Sequence, residues 1–315
     1  MRISMRAALC GAALAGMAGL ASPASSHGIA GDRFFPATIA TDDPFNADEL
    51  SLPTVSRFKT GDEPSARETD IAGEWSKRLT SKLGVSFSGD WTRSDVPGLP
   101  AATGFRNLET TLKYQAVTSP EHEAIVSVGV SGEWGGTGSE KVGAEVIGTI
   151  TPTVYFGKGF GDLPPSLNWL RPAAVTGTLG YAIPVQGHEL VDDPACSGCA
   201  PIRQATTRSL QWGVAFEYSL RYLQSQVKDL GLPAFVNQLT PLVEIAASTP
   251  VANGFGATTT GTVNPGVLWS GKHMQFGLEA QIPMNRQSGS SVGVLFQVHW
   301  FLDDLFPHSL GKPIW

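Results

Sequence analysis

Long hydrophobic runs are scarce in this chain of 315 residues. Beyond residue 26, no segment contains the roughly 18 or more apolar residues that a membrane-spanning helix needs. Any membrane insertion of the mature chain must therefore use strands. Charged residues are also few, at 16%, and the formal net charge of −6 provides no basic surface for phosphates. We therefore predict no nucleic-acid partner.

Cysteine is rare, with three residues in the chain. Cys10 lies in an N-terminal apolar segment, whereas Cys196 and Cys199 form the motif CSGC in a long polar loop. In an oxidising compartment this spacing favours a local disulfide between Cys196 and Cys199. A redox CxxC is expected at the start of a helix, and a zinc site needs more ligands than this loop contains.

The first 26 residues are typical of an export signal. Arg2 and Arg6 supply positive charge, an apolar segment follows, and ASPASS provides small residues for cleavage. The mature chain is therefore predicted to leave the cytoplasm. Residues 27–49 carry turn-forming and acidic residues without a period, so we predict that they form an N-terminal extension.

The sequence is rich in glycine, with 36 residues, and in alternating apolar and polar positions. In EAIVSVGVSGEW, residues 123–134, valines occupy one face while serine and glutamate occupy the other. Such alternation is typical of a β-strand that separates two environments. Runs of this kind predict twelve strands, at 50–59, 70–79, 83–93, 105–117, 123–134, 143–156, 173–184, 206–222, 239–249, 260–269, 273–283 and 291–302.

The connections between these strands alternate between tight turns, such as 80–82 and 270–272, and longer loops, such as 185–205. Short turns on one side and long loops on the other are typical of outer-membrane barrels. Trp91 and Trp134 fall at predicted outer strand ends and Trp300 at an inner one, as aromatic girdles require.

We therefore predict an all-β fold, a transmembrane antiparallel up-and-down β-barrel of about 12 strands over 50–302, with a C-terminal tail over 303–315. The predicted location is the outer membrane of a Gram-negative bacterium. The alternative is a secreted sandwich or water-soluble barrel, which also alternates. Pro152, Pro241 and Pro265 count against the predicted strands that contain them, because proline donates no ladder hydrogen bond.

If the apolar faces meet lipid, the opposite faces line a lumen. Their charged residues are eight acids and three bases, namely Glu74, Arg78, Asp90, Glu109, Lys113, Glu133, Glu145, Glu217, Arg221, Glu244 and Glu279. Two interpretations fit this set. One is a structural polar network filled by water, and the other is an acidic conduit that favours cationic or polar neutral solutes and repels anions.

Catalytic and metal sites are not indicated. His273 and His299 share inward-facing positions on neighbouring strands, but a metal site there would need a third ligand. His27 would chelate copper only if signal cleavage left it at the N-terminus. No spacing ties a nucleophile to a base. We predict that the chain is not an enzyme and uses no cofactor and no metal.

Three stretches are similar to known sequences: GKGFGDLPPSLNWLRP at 157–172, VTGTLGYAIP at 175–184 and VGVLFQVHWFLDDLFP at 292–307. They resemble the outer-membrane transporter family named for the meta-pathway of phenol degradation. The segment HGIAGDRFFPATIATDDPF is similar to the N-terminal region of its uncharacterised relatives. The resemblance covers most of the mature chain and implies a β-barrel that takes up small, often aromatic, molecules.

The chain departs from many barrels at its C-terminus, because residues 303–315 continue past the last strand. Either Trp300 and Leu302 supply the assembly signal internally, or the tail folds back.

The sequence thus predicts a channel or transporter for small solutes, including aromatic ones, through an acidic polar lumen. The loop 185–205 is expected to cover part of the outer mouth. The alternative is a non-conducting structural or interaction barrel whose lumen is plugged by residues 27–49. The predicted partners are outer-membrane lipid, a small solute and the barrel-assembly machinery, and the oligomeric state is left open.

Overall fold

The chain folds into a closed antiparallel barrel. The computed structural model describes residues 28–191, 200–253 and 258–315. Within these ranges twelve strands form the barrel: β3 (Glu49–Lys59), β4 (Arg67–Arg78), β5 (Leu83–Asp95), β7 (Glu109–Ser119), β8 (Ala124–Glu133), β9 (Thr149–Gly159), β10 (Ala173–Pro184), β13 (Arg208–Tyr218), β14 (Leu239–Ala252), β15 (Thr260–Ser270), β16 (Met274–Pro283) and β17 (Ser291–Phe301). The sheet closes because β3 pairs with both β17 and β4.

The remaining strands are short. They are β1 (Ile29–Ala30), β2 (Arg33–Phe34), β6 (Ala102–Phe105), β11 (His188–Val191) and β12 (Ile202–Ala205). β1 pairs with β2, β6 pairs with the last part of β5, and β11 pairs with β12 in the longest loop. In the described ranges, no helix has both the length and the hydrophobicity to cross a membrane. Residues 1–26, His27 and the pair Cys196 and Cys199 lie outside the described residues.

The predicted all-β barrel of twelve strands is confirmed, and most predicted strands lie within a few residues of the observed ones. Three predicted boundaries were wrong by four residues or more. The strand predicted from 105 begins at Glu109, and Phe105 instead ends β6. The strand predicted from 143 begins only at Thr149, because a 3-10 turn, Glu140–Val142, ends at Gly143 with a φ of 80°. The strand predicted to 222 ends at Tyr218, because the Ser219 hydroxyl accepts the backbone N–H of Tyr222 and starts a helical turn.

The apolar side of each strand faces outward. In β8, Val126, Val128 and Val130 are 38%, 43% and 40% exposed, whereas Ser127 between them is fully buried in the barrel interior. This is the reverse of a water-soluble barrel, whose apolar side chains pack inside. The barrel thus has a polar interior and a continuous apolar outer surface.

The strand prolines are accommodated without breaking the barrel. Pro152 stays in register opposite Val130, and Pro241 opposite Val267. Pro53 lies where the pairing of β3 shifts register with β4, between Ser51 and Thr54. Irregular positions of this kind tolerate a residue that lacks a backbone N–H.

The two ends of the barrel differ. At the end where β3 begins and β17 finishes, here called the terminus end, three connections are tight: 79–82, 120–123 and 271–273. Two others at this end, 160–172 and 219–238, are longer than the predicted alternation requires and contain short helices. The opposite end, here called the loop end, carries the β11–β12 hairpin.

The C-terminal tail folds back onto the terminus end. The Lys77 ammonium donates to the carbonyl oxygens of Leu310 and Lys312, each at 2.7 Å. The backbone N–H groups of Ile314 and Trp315 donate to the carbonyls of Arg78 and Leu79. Of the two arrangements that the sequence left open for residues 303–315, the structure has the folded-back tail.

We expect the folded barrel to resist SDS at room temperature and to change its gel mobility only after boiling, because every barrel strand has two hydrogen-bonded neighbours. Cold and boiled samples on one gel provide the measurement. A single mobility, together with solubility in extracts without detergent, would contradict the membrane-type architecture.

Candidate functional site

Residues 28–48, here called the plug, run through the barrel interior before β3 begins. The Glu244 carboxylate on β14 accepts the backbone N–H groups of Ile39, Ala40 and Thr41, at 2.8, 3.0 and 2.7 Å. It also accepts the Thr41 hydroxyl at 2.8 Å. Four donors thus surround one fully buried carboxylate, which satisfies its charge by hydrogen bonds rather than by a cation.

Two inward-facing glycines make room for the plug. A Cβ atom at Gly277 would lie 2.2 Å from the Ile39 side chain, and one at Gly213 would lie 2.5 Å from the Thr41 side chain. Any larger residue at either position would collide with the segment that Glu244 holds. The barrel wall is therefore shaped to fit the plug.

Further hydrogen bonds hold the plug along its length. Gln275 donates to the Ala37 carbonyl at 2.6 Å, and Ser127 donates to the Pro44 carbonyl. The Lys113 ammonium donates to the Asp42 carboxylate at 2.9 Å and to the Asp43 carbonyl at 2.8 Å. Together with Glu244, these wall residues come from four different strands.

A buried arginine fixes the plug at the terminus end. Arg33 is paired with Glu123 at 3.2 Å and donates to the carbonyls of Pro172 and Arg171. Its guanidinium lies 3.9 Å from the ring centre of Tyr222, a cation–π arrangement. Burial, reinforced by a hydrogen bond to Glu123, raises the pKa of Tyr222 to about 12, so the phenol stays protonated at neutral pH.

Apolar contacts support this attachment. Ala30, Phe35 and Phe45 of the plug form one buried cluster with Ile125 and Ala174 of the wall. The Phe35 and Phe45 ring centres are 5.4 Å apart. Burial of these aromatic rings adds a hydrophobic contribution to the polar anchors.

Asp48 ends the plug and binds two consecutive cations of β4. Its carboxylate accepts the Lys77 ammonium at 2.7 Å, the Arg78 backbone N–H at 2.8 Å and the Arg78 guanidinium at 2.8 Å. Its backbone carbonyl accepts the N–H groups of Leu302 and Asp303. Asp48 therefore joins the plug, β4 and the start of the tail.

Two polar chambers flank the plug. The first has a volume of about 320 Å³ and lies between the plug and β3, β4, β5 and β17. Five carboxylates line it, from Asp42, Asp43, Glu49, Glu74 and Asp90, together with His299 and Gln297. The Gln297 amide oxygen is buried without a hydrogen-bond partner in the described structure.

The second chamber has a volume of about 190 Å³ on the other side of Asp42. Its wall carries Glu109, Glu133 and the hydroxyl groups of Ser131, Thr149, Thr151, Thr153, Thr178 and Tyr155. At about 30 Å³ for each water in the liquid, the chambers have room for small solutes or clusters of water.

The structure separates the sequence-predicted charged residues into groups. Glu74 and Asp90 line the first chamber, and Glu109 and Glu133 line the second. Lys113 and Glu244 bind the plug, and Arg78 binds Asp48. Glu217 is buried and accepts a hydrogen bond from Thr176, and buried Glu279 lies close to Glu244 and Asn264.

Glu145 and Arg221 are corrections, since neither lies on a barrel strand. Glu145 is exposed in the connection that precedes Thr149. Arg221 is exposed in the helical turn Leu220–Tyr222 at the terminus end. The sequence prediction places both in the lumen because polar and apolar residues continue to alternate in the turns beside the two strands.

The sequence reasoning missed the acids of the plug and its neighbours. Asp42, Asp43 and Asp48 fall in a segment without a period, and Glu49 precedes the predicted start of its strand. His299 contacts Ser51 at 2.8 Å and Glu49 at 3.1 Å. The inward-facing glycines are the feature of the sequence that indicates the plug. A water-filled lumen has room for larger side chains, so glycine at an inward position indicates that something else occupies the space beside it.

His273 lies in the turn between β15 and β16, and His299 lies inside the barrel. Across the described residues, no group of three or more His, Cys, Asp and Glu side chains is arranged to hold a metal ion.

The fold has counterparts among solved structures. The chain is similar to the COG4313 outer membrane channel from Pseudomonas putida F1, with 13% identity, a TM-score of 0.51, and coverage of 84% of this chain and 99% of that one. It is also similar to the NanC porin, with 8% identity, a TM-score of 0.47 and coverage of 79% and 98%. For the KdgM porin the values are 10%, 0.43, 78% and 98%. At these identities the likeness concerns the fold.

No known protein family and no curated protein matches the chain. The resemblance to the transporter family named for the meta-pathway of phenol degradation therefore stays a prediction.

We expect Asp48→Asn to lower the free energy of unfolding by about 3 kcal/mol, because it leaves two largely buried cations without their carboxylate. Urea titration of the barrel in detergent micelles, followed by tryptophan fluorescence, measures the change. Asp95→Asn is the matched control, since it removes a carboxylate from the exposed Arg93 pair, and we expect an unchanged midpoint. Equal midpoints for all three proteins would contradict the role of Asp48.

Proposed function

We propose that this chain is an outer-membrane channel that passes small solutes through an acidic polar lumen narrowed by the plug. The observation that carries the proposal is the pair of polar chambers beside the plug. A barrel with a purely structural interior would be filled by packed side chains. Here about 320 Å³ and about 190 Å³ are left open among polar groups.

The chamber walls support a preference for cationic and polar neutral solutes. The five carboxylates of the first chamber face His299, and the second chamber carries Asp42, Glu109 and Glu133. Carboxylates along a narrow low-dielectric passage attract cations and exclude anions. Hydroxyl and amide groups in the same walls replace part of the water shell of a neutral solute.

The resemblance to a phenol-pathway transporter family suggests aromatic solutes as well. In the second chamber the described lining includes one aromatic side chain, Tyr155. The first chamber is lined by polar and small residues together with Ile39. The wall chemistry therefore supports polar solutes more strongly than apolar aromatic ones.

The plug favours a second candidate function, a non-conducting structural or interaction barrel. Glu244, Lys113 and Arg33 hold it at three separate places. The two candidates differ in one measurable quantity, the current through a single folded barrel.

We expect the full mature chain to give small currents in a planar lipid bilayer and two plug variants to give larger ones. Glu244→Gln removes the charged acceptor of three backbone N–H groups, and Gly213→Val places a side chain where Thr41 lies. Both variants loosen the same segment by different means, so a shared rise of at least twofold in conductance would assign the constriction to the plug.

Glu109→Gln is the matched control for Glu244→Gln. It removes the same charge from the lumen, and Glu109 forms no hydrogen bond to the plug, so its conductance should not rise above that of the parent. Heat-dependent gel mobility confirms that each variant is folded. No current from any folded variant, and none after deletion of residues 28–46, would establish the non-conducting barrel and reject the channel.

We expect the triple change Glu74→Gln, Asp90→Asn and Glu133→Gln to lower the preference for cations, because these carboxylates line the chambers without holding the plug. Reversal potentials in a potassium chloride gradient provide the measurement, in the Gly213→Val background where currents are larger. Glu63→Gln, an exposed change near the loop end, serves as control. An unchanged reversal potential in the triple variant would reject the acidic conduit.

A further inference from the structure

A cluster of basic side chains lies on the outer surface of the barrel at the loop end. Arg57 and Lys59 on β3, Arg67 on β4 and Arg93 on β5 are all exposed. They occupy the outward-facing positions of their strands, since Ser56 and Asp70 beside them share a hydrogen bond inside the barrel. This set of four residues is here called the outer basic cluster.

The pairing of the strands brings these charges close together. Lys59 lies directly opposite Arg67, and Arg57 and Arg93 both lie opposite Thr69. Like charges directly opposite one another destabilise a sheet. The sequence places them there nonetheless, in a chain whose formal net charge is −6.

Internal neutralisation of the cluster is incomplete. Asp95 pairs with Arg93 at 2.9 Å and lies opposite Arg67. Within the described part of the chain, Arg57, Lys59 and Arg67 have no ion pair and no side-chain hydrogen bond. Across the paired strands, one carboxylate thus faces four cations.

The cluster borders an apolar surface of the kind that an acyl chain covers. An open groove of about 460 Å³ is lined by Arg57, Lys59 and Arg67 together with Val292 and Val294 of β17. Toward the middle of the barrel, Val294 and Ile71 are 44% and 40% exposed on the same outer face. A ligand that fits has several negative charges at one end and hydrocarbon at the other.

The end of the barrel at which the cluster lies limits the source of that ligand. The tight turns of outer-membrane barrels face the periplasm, so the loop end lies at the outer leaflet. The outer leaflet of such a membrane consists mainly of a glycolipid with phosphate groups on its sugar headgroup. Arginine and lysine are the side chains that bind phosphate best.

We infer that the outer basic cluster binds the phosphate groups of an outer-leaflet glycolipid, whose acyl chains lie along the neighbouring valines and isoleucine. This inference rests on the membrane location in the proposed function and does not depend on conduction. The ligand neutralises the opposed Lys59 and Arg67, which explains why the sheet tolerates them.

Native mass spectrometry of the full folded chain in detergent, with diphosphoryl lipid A added, tests the inference. The variant is Arg57→Gln, Lys59→Gln and Arg67→Gln. Each basic group near an anionic lipid surface strengthens binding about fivefold, so we expect on the order of 100-fold weaker lipid A binding. The matched control, Lys82→Gln, Lys228→Gln and Lys272→Gln, removes three exposed charges at the terminus end and should bind like the parent.

Lipid A without phosphate groups should bind the parent chain no more tightly than it binds the variant. Inorganic pyrophosphate should not displace diphosphoryl lipid A from the parent chain. Equal lipid A binding by parent and variant, or full displacement by pyrophosphate, would overturn the inference. Heat-dependent gel mobility of the variant confirms that it is folded. If the parent chain does not enter lipid bilayers, the proposed membrane location is wrong. That result is distinct from a parent chain that enters bilayers but binds lipid A no more tightly than the variant does.

Discussion

One buried carboxylate, that of Asp48, holds together parts of the molecule that are far apart in sequence. The carboxylate binds Lys77 and Arg78 at the end of β4. The backbone carbonyl of Asp48 accepts the N–H groups of Leu302 and Asp303, just beyond the last strand. The next residue begins β3, whose partner β17 closes the barrel. The position of the plug, the closure of the barrel and the folded-back tail therefore share one electrostatic anchor. Breaking it leaves Lys77 without an ion pair in the described structure and Arg78 with the longer pair to Asp303, at 3.9 Å.

Alternation predicted the strands, and together with the connection lengths and the tryptophan positions it predicted the barrel, because the two environments of its strands differ completely. In β8, valines that point outward and serines that point inward are unambiguous, and a shift of one residue would reverse them. The same reasoning failed at Glu145 and Arg221, where the chain turns while polar and apolar residues still happen to alternate. Turn formation there depends on Gly143 and on the Ser219 cap, which are local signals without a period.

The plug could not be predicted in detail from the sequence, since its conformation is set by the wall and not by its own pattern. Ile39, Ala40 and Thr41 present backbone N–H groups to Glu244, and any three residues other than proline offer the same groups. What is specific lies in the wall, in the carboxylate and in the space left by Gly213 and Gly277. A lumen residue therefore has one of two roles: it binds the plug, or it lines a chamber. Glu244 and Glu74 look alike in the sequence and differ in this respect.

The attachment of the plug also has a consequence for the order of folding. Residues 39–41 are separated from Glu244 by more than 200 positions in the chain, and Ala37 from Gln275 by 238. Bringing such distant segments together carries a loop-closure cost that only an already formed sheet removes. We therefore expect the plug to reach its native contacts only after β14 and β16 have joined the sheet.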